Sequence, residues 1–267
     1  MNEENNKINK YKMTYKDLVK NTMYLLLYLV MFIFTLIYKK RIDGFNNLFG
    51  SFLGYQNIGI LLYYITLVFG MLFYVFMFSV YWIYKNDDKI IKPIKIIDKI
   101  LDIPSFIVKC ISIILFIMIF ITTPCTVLGD SMNPTFESNN KVLSWNVFDD
   151  LNRDDIVVFN AKNYNNDNNF YIKRVVAASG DIIKFDTLKN EFSVNGILEV
   201  GVNLSQFKYI TGLSDYLDLY EFTIPKDKVL VFGDNRDNSE DSRSFGLVDE
   251  SDVFGIVYFS LIPFGKI

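Results

Sequence analysis

Ser131 and Met132, within Gly129-Asp130-Ser131-Met132-Asn133-Pro134, and the pair Lys173-Arg174 occur in a chain with no histidine. A hydroxyl nucleophile needs a base to take its proton, and imidazole is the usual one. The bases left for serine chemistry are a carboxylate, an N-terminal amine or a lysine made neutral by burial. A free lysine titrates near about 10.4, so little of it is neutral at pH 7. Burial among Tyr171, Ile172 and Val175 would disfavour the ammonium and can lower that value by several units. Neighbours on a strand alternate faces, so Lys173 can point inward while Arg174 reaches water. This chemistry is that of a Ser–Lys hydrolase rather than a Ser–His–Asp one.

Positioning such a pair falls to a chain of two characters. Three apolar runs precede residue 125, with spans expected at about 22–38, 58–84 and 104–124. A helix rises about 1.5 Å per residue, so ~20 residues cross a hydrocarbon core of about 30 Å. Between the second and third runs, Ile90, Ile91, Ile94, Ile97, Ile100 and Leu101 recur at helical spacing with Lys92, Lys95 and Lys99 among them. Residues 86–102 therefore read either as a basic amphipathic helix on the lipid surface, with Pro93 in its first turn, or as a plain connector.

Charge follows the same division. Up to Cys125 there are 14 Lys and Arg against 8 Asp and Glu, and from Thr126 onward 13 against 22. The acidic second part argues against a nucleic-acid partner. Lysines cluster in the N-terminal tail (Lys7 to Lys20) and between runs two and three (Lys85 to Lys99). With three spans those segments share a side, which the positive-inside rule makes the cytoplasm. The domain 126–267 then lies outside, against the weaker pull of Lys39, Lys40 and Arg41. Cys110 and Cys125 lie too far apart along a continuous helix, about 22 Å, for a disulfide; Cys110 reads as a lipid-facing or packed apolar residue and Cys125 as structural.

The second part reads as β. Runs at Thr126–Leu128, Lys141–Trp145, Ile156–Phe159, Phe170–Ala177, Ile182–Phe185, Phe192–Val194, Val229–Phe232 and Val253–Ser260 are separated by turn signals. Asn195-Gly196 marks a hairpin, residues 163–169 a loop tip, and the stretch near 184–222 an insertion. The expected fold class is mainly β: a partly closed antiparallel catalytic domain at 126–267, anchored through 1–125 by about three transmembrane helices. Val127, Leu128, Gly129, Met132, Tyr171 and Ile172 flank the two reactive groups, where an extended peptide could add as a strand.

Four boxes carry a family resemblance. They are Val127-Leu-Gly-Asp-Ser131-Met-Asn-Pro-Thr-Phe136, Arg153-Asp-Asp-Ile-Val-Val-Phe159, Tyr171-Ile-Lys173-Arg-Val-Val-Ala-Ala-Ser-Gly-Asp181 and Gly233-Asp-Asn-Arg-Asp-Asn-Ser239-Glu-Asp241-Ser-Arg243-Ser-Phe-Gly246. In this order, after membrane spans, they resemble the bacterial type I signal peptidases, membrane-bound Ser–Lys peptidases that remove signal peptides. The resemblance implies Ser131 as nucleophile and Lys173 as general base. It also implies Ser239 donating to or orienting Lys173, with Asp241 and Arg243 holding the loop as an ion pair beside Asp234 and Asn235. Cleavage of secretory preproteins after small residues, at Ala-x-Ala-like sites, is the implied reaction. No cofactor or metal is expected, because the acidic loop 233–241 lacks the later Glu of a calcium loop at the right spacing. A specialised member with a narrow client, such as a pilin precursor, is the alternative. Self-cleaving Ser–Lys repressors are soluble and bind DNA, which the three spans disfavour.

The departures from the family pattern are informative. Gly129 stands where some members place an oxyanion-stabilising hydroxyl, so a second donor beside the Ser131 N–H must come from backbone or substrate. Asn139-Asn140 replace a usual Gly-Asp, and Asp154 replaces a common glycine; Asn accepts positive φ more readily than Asp.

Overall fold

The computed structural model describes residues 2–54, 57–84, 88–165, 169–186, 188–207 and 221–266. The centre of the 163–169 tip, the stretch 208–220, the start of the basic loop and the side chains of Ile90, Ile91, Lys92, Ile94, Lys95 and Ile97 lie outside the described residues. By contact the chain forms two compact units. One comprises Met1–Ile42 with Asn57–Ile117, the other Asp43–Gln56 with Met118–Ile267. A contiguous anchor over 1–125 was expected; by contact, the link between the first two spans goes with the β unit.

In the first unit, helices α1 (Asn2–Ile37), α3 (Ile58–Tyr84) and α4 (Asp88–Phe120) contain three stretches long and apolar enough to cross a membrane, Tyr15–Ile37, Ile58–Ile83 and Lys99–Phe120. Outward-facing leucine, isoleucine and phenylalanine suit a lipid surround, while the buried side chains include the tyrosines Tyr28, Tyr63, Tyr74 and Tyr81. Gly70 lets α3 lie against α1: a Cβ there would sit 2.3 Å from the Tyr28 ring. Thr35 and Tyr63 share a buried hydrogen bond of 2.8 Å. The basic segment 88–102 is not a separate helix but the start of α4, with Pro93 in its second turn. Its isoleucines keep one helical register into the span.

The second unit holds α2 (Lys39–Leu53) from Asp43 onward, and the strands. They are β1 (Thr122–Thr126), β2 (Lys141–Trp145), β3 (Ile156–Asn160), β4 (Phe170–Ala177), β5 (Ile182–Asp186), β6 (Glu191–Val194), β7 (Ile197–Leu198), β8 (Glu221–Thr223), β9 (Lys228–Phe232), β10 (Val248–Asp249), β11 (Val253–Ile262) and β12 (Gly265–Lys266). Short helices α5 (Lys162–Asn165) and α6 (Ser242–Phe245) fill two connections. Among the described residues, one sheet runs β1-β2-β11-β3-β4-β9-β10, with β12 on β11, and a smaller one runs β7-β6-β5-β8. The strand pairs of both sheets are antiparallel.

The expected Thr126–Leu128 strand lies earlier, at β1, because α4 ends at Phe120 and Thr122-Thr123-Pro124 pair with β2 instead of extending the span. Asn195 and Gly196 take φ of 50° and 78° at the β6–β7 turn, the left-handed pair that a tight hairpin requires.

Strand β9 is the structural centre. Its residues alternate between two cores, as period-2 geometry dictates. Val229 and Val231 join Val157, Phe159, Val175 and Phe245 on one face. Leu230 and Phe232 join Ile183, Phe185, Phe192 and Phe207 on the other, beneath the small sheet. Phe232 is fully buried, 5.9 Å from the Phe192 ring, with the Arg243 guanidinium 5.1 Å from its own. Phe232→Ala should therefore cost about 3–5 kcal/mol, the range for truncating a buried aromatic. Thermal unfolding of the detergent-solubilised chain, followed by tryptophan fluorescence, measures it; a midpoint within a degree of wild type would contradict the two-core description.

Candidate active site

Lys173 occupies the middle of β4, where register with Val157 of β3 and strand alternation turn its side chain inward. It is 4% exposed, and its Nζ lies 2.8 Å from Ser131 Oγ and donates to the Ile172 carbonyl at 3.0 Å. Burial lowers the ammonium's pKa from 10.5 to about 8. The charges of Asp241, Glu240 and Asp234 oppose that fall, and Arg243 reinforces it. Arg174, the next residue, faces the other way and forms a two-pronged pair with Asp234, Nε to Oδ1 at 2.8 Å and Nη2 to Oδ2 at 2.7 Å. Burial would raise the Asp234 pKa, but these bonds and the guanidinium charge bring it below its ordinary value.

Ser131 stands at the start of a tight turn after β1. Val127 and Asn139 extend the β1–β2 pairing by two backbone bonds, Val127 N to Asn140 O and Asn139 N to Val127 O, both at 2.9 Å. Asn139 takes φ 72°, as its short amide side chain permits. Asp154 adopts φ 76° in spite of its type, and its backbone bonds Val175 (2.9 Å) and accepts from Arg174 (3.0 Å). That contact to the β4 arginine holds the residue where a glycine would relax. Gly129 has φ 82°, and its N–H donates to Ser138 Oγ at 3.3 Å.

The loop from Gly233 to Gly246 locks Ser131 from behind. Asn235 N donates to the Ser131 carbonyl and Asn235 Nδ2 to the Asp130 carbonyl, each at 3.0 Å. Asp241 and Arg243 form the ion pair that the resemblance implies, fully buried, with Nε to Oδ1 at 2.8 Å and Nη2 to Oδ2 at 2.7 Å. Asp241 also accepts from Gly233 N at 3.0 Å, so its oxygens are committed to the loop while its charge still reaches Lys173. Gly233 is the point of closest approach: a Cβ there would meet Ser239 Oγ at 2.2 Å and the Ser131 carbonyl at 2.4 Å.

Two expected contacts are absent. Ser239 Oγ is buried without a hydrogen-bond partner among the described residues, so the bond to Lys173 is not formed in this structure. Met132 is 0% exposed and does not line the cleft, so it belongs to the interior rather than the substrate surface. Leu128, at 68% exposure, Val127, Gly129, Tyr171 and Ile172 do line the cleft that opens on Ser131 and Lys173, about 910 Å³ in volume. The same cleft is lined by Asn47, Leu48, Gly50 and Ser51 of α2 and by Glu240, which accepts from Tyr171 Oη at 3.1 Å. Sequence reasoning missed the α2 residues. The only signal for them was a stretch of small and polar residues between two apolar runs. Cys125 is buried, which raises its thiol pKa to about 12 and leaves it unreactive.

The geometry is that of a serine hydroxyl in contact with a desolvated amine at the end of an open cleft. A family model described as signal peptidase, peptidase S26, matches residues 100–262. The chain belongs to that family. Signal peptidase IB of Staphylococcus aureus, in strain Mu50 and equally in strain N315, is 39% identical over 172 residues, which cover 58% of this chain and 85% of the relative. An inactive signal peptidase IA of strain Mu50 is 25% identical over 166 residues, 60% of this chain and 90% of that one. A solved signal peptidase I from Enterococcus faecalis V583 matches 41% of this chain and 98% of its own at 21% identity, with a TM-score of 0.28.

Gly233→Ala should lower peptidase activity by about 10²-fold without unfolding the chain, the scale expected when reacting groups move by about 1 Å. A steady-state cleavage assay beside a thermal melt checks this, and full activity would show that the two loops are not held by that contact.

Proposed function

We propose that this chain is a signal peptidase I, a membrane-anchored serine endopeptidase that cleaves signal peptides from secreted preproteins after small residues, with Ser131 as nucleophile and Lys173 as general base. The observation that carries the reading is the 2.8 Å contact between Lys173 Nζ and Ser131 Oγ, with the amine buried. It is what an active member needs, and it matters because one relative is named inactive. The alternative of a narrow pilin client draws no support from the relatives named above.

In the proposed reaction neutral Lys173 takes the Ser131 proton as Oγ attacks the scissile carbonyl carbon. The oxygen becomes an oxyanion, facing the Ser131 N–H. As the C–N bond breaks, Lys173 returns the proton to the departing amine. Water, deprotonated by Lys173, then attacks the resulting ester, and as the acyl C–Oγ bond breaks Lys173 returns that proton to Ser131 Oγ. Arg174 and Asp234 hold β4 to the 233–246 loop, while Asn235 fixes the peptide groups on either side of Ser131. Ser239 is assigned no bond to the amine in this resting arrangement.

Ser131→Ala and Lys173→Ala should each abolish preprotein cleavage, and Lys173→Arg should be equally dead because a guanidinium does not deprotonate. A general base contributes ~10²–10⁴-fold, so a Lys173→Ala rate above about a hundredth of wild type would defeat the assignment. The depressed pKa gives the pH dependence its sign. The active form is the neutral amine, so the rate should climb as pH rises through about 8 and then level, with no limb near 6.5. A pH–rate profile on a purified preprotein, with N-terminal sequencing of the product, measures both.

We infer that the site lies on the extracytoplasmic side. Support comes from the lysine distribution and from the shared unit: Asp43–Gln56 and Met118–Ile267 pack together, and three crossings bring both to one side of a bilayer. A reporter fused after Ile267 should be active only outside the cytoplasm, and one inserted between Asp87 and Lys99 only inside. The reverse pattern would mean that Lys39, Lys40 and Arg41 set the orientation.

A further inference from the structure

The segment joining the first two spans is built into the catalytic unit, and its inner face is unlike the rest of it. From Asp43 to Leu53 it is the main part of helix α2, with Phe45, Leu48 and Phe49 buried. Phe45 and Phe49 stack with ring centres 4.9 Å apart. Gly44 lets the helix backbone lie on β11: a Cβ there would sit 2.4 Å from the Phe254 ring and 3.3 Å from Phe170. At the other end Lys141 of β2 lies 4.4 Å from the Phe52 ring centre and 3.5 Å from the Phe52 carbonyl, one of the acceptors a helix leaves unpaired. Gly54, at φ 75°, ends the helix. Both ends are thus tied to the β-fold.

The face left over is small and polar. Asn47 and Ser51 are exposed and lie four residues apart, so they share one side of the helix with Gly50 between them. They border the same cleft as Ser131 and Lys173. A peptide that adds to a strand edge pairs half of its main-chain N–H and C=O groups and leaves the other half pointing away. Those remaining groups need partners once water is displaced. An asparagine amide offers two donors and an acceptor, and a serine hydroxyl offers one donor and two lone pairs. Glycine and serine also let a peptide backbone come close.

We propose that α2 is a wall of the preprotein cleft, with Asn47 and Ser51 hydrogen-bonding the main chain of the bound signal peptide on the edge that the β-strands leave unpaired. This rests on the signal peptidase reading above and adds a substrate-positioning element from outside the four family boxes. It gives the loop between the first two spans a task in substrate binding as well as in anchoring.

The test uses the full-length Ser131→Ala chain in vesicles, with a photo-reactive benzoylphenylalanine at position 51, at 128 or at 188, and a labelled preprotein. Position 51 should form an adduct within about six residues of the cleavage site, as should 128 on the strand side. Position 188, exposed on the small sheet's turn, should form none. An adduct at 128 without one at 51 would overturn the proposal and leave the site reading standing. Adducts at neither would bring down the site reading and the proposal with it. Independently, the double change Asn47→Ala, Ser51→Ala should raise KM for the preprotein about tenfold and lower kcat by less. An unchanged KM, or a loss confined to kcat, would count against α2 as a binding wall.

Discussion

The desolvation of one ammonium group is the constraint on which the rest of the structure depends. Moving Lys173 out of water costs free energy that an exposed lysine never incurs, and the fall in its pKa to about 8 expresses that cost. Only a well-packed surround sustains it. β4 supplies this by its position between β3 and β9 in the large sheet, and by an inward face that continues through Val175 into the core of Val157, Phe159 and Val231. Three carboxylates nearby would restore the charged form if any of them reached the amine directly. Asp241 and Asp234 are each taken up by an arginine, and Glu240 by the Tyr171 hydroxyl. The ion pairs around the site therefore withhold negative charge from the lysine as much as they brace the loops.

Bracing matters because serine and lysine come from parts of the chain whose strands are not neighbours in the sheet. Ser131 follows β1 at one end of the sheet order, while Lys173 lies on β4, near the other end. The 233–246 loop joins them. It leaves β9, which pairs with β4, and grips the backbone on both sides of Ser131 through Asn235. Its own shape is held by Asp241, whose oxygens accept from Gly233 and Arg243, and by the hydroxyl of Ser242, which accepts from Val231 N at 2.9 Å. The close approach at Gly233 makes loop and nucleophile one body.

Much of this was legible in the residues. The alternation Tyr171, Lys173, Val175 announced an inward lysine, and β2 and β4 begin and end where the pattern of apolar residues placed them. The pairing of Asp241 with Arg243 followed from the family box. What escaped has physical reasons. β1 was displaced because Thr122 and Thr123 are as acceptable in a helix end as in a strand, and only pairing with β2 decides between them. Met132 looked like substrate surface because it neighbours Ser131, but a turn reverses direction within two residues and sent it inward. The Ser239 hydroxyl depends on a single rotamer, which no local pattern encodes. α2 was invisible because its contacts to Phe254, Phe170 and Lys141 span some 90 to 210 residues of sequence.

That long-range contact also bears on why a peptidase domain should carry three apolar helices when one would tether it. One such helix would attach the β-fold by a single connection, ahead of β1. The segment between the first two apolar helices is different, because it packs onto the β-fold itself through Gly44 and Lys141 and belongs to the same compact unit. It also brings Asn47, Gly50 and Ser51 to the cleft that holds Ser131 and Lys173. A chain with only the last apolar helix would lack that side of the cleft. Groups already held in place beside a cleft lose less freedom when a peptide binds than groups ordered at that moment.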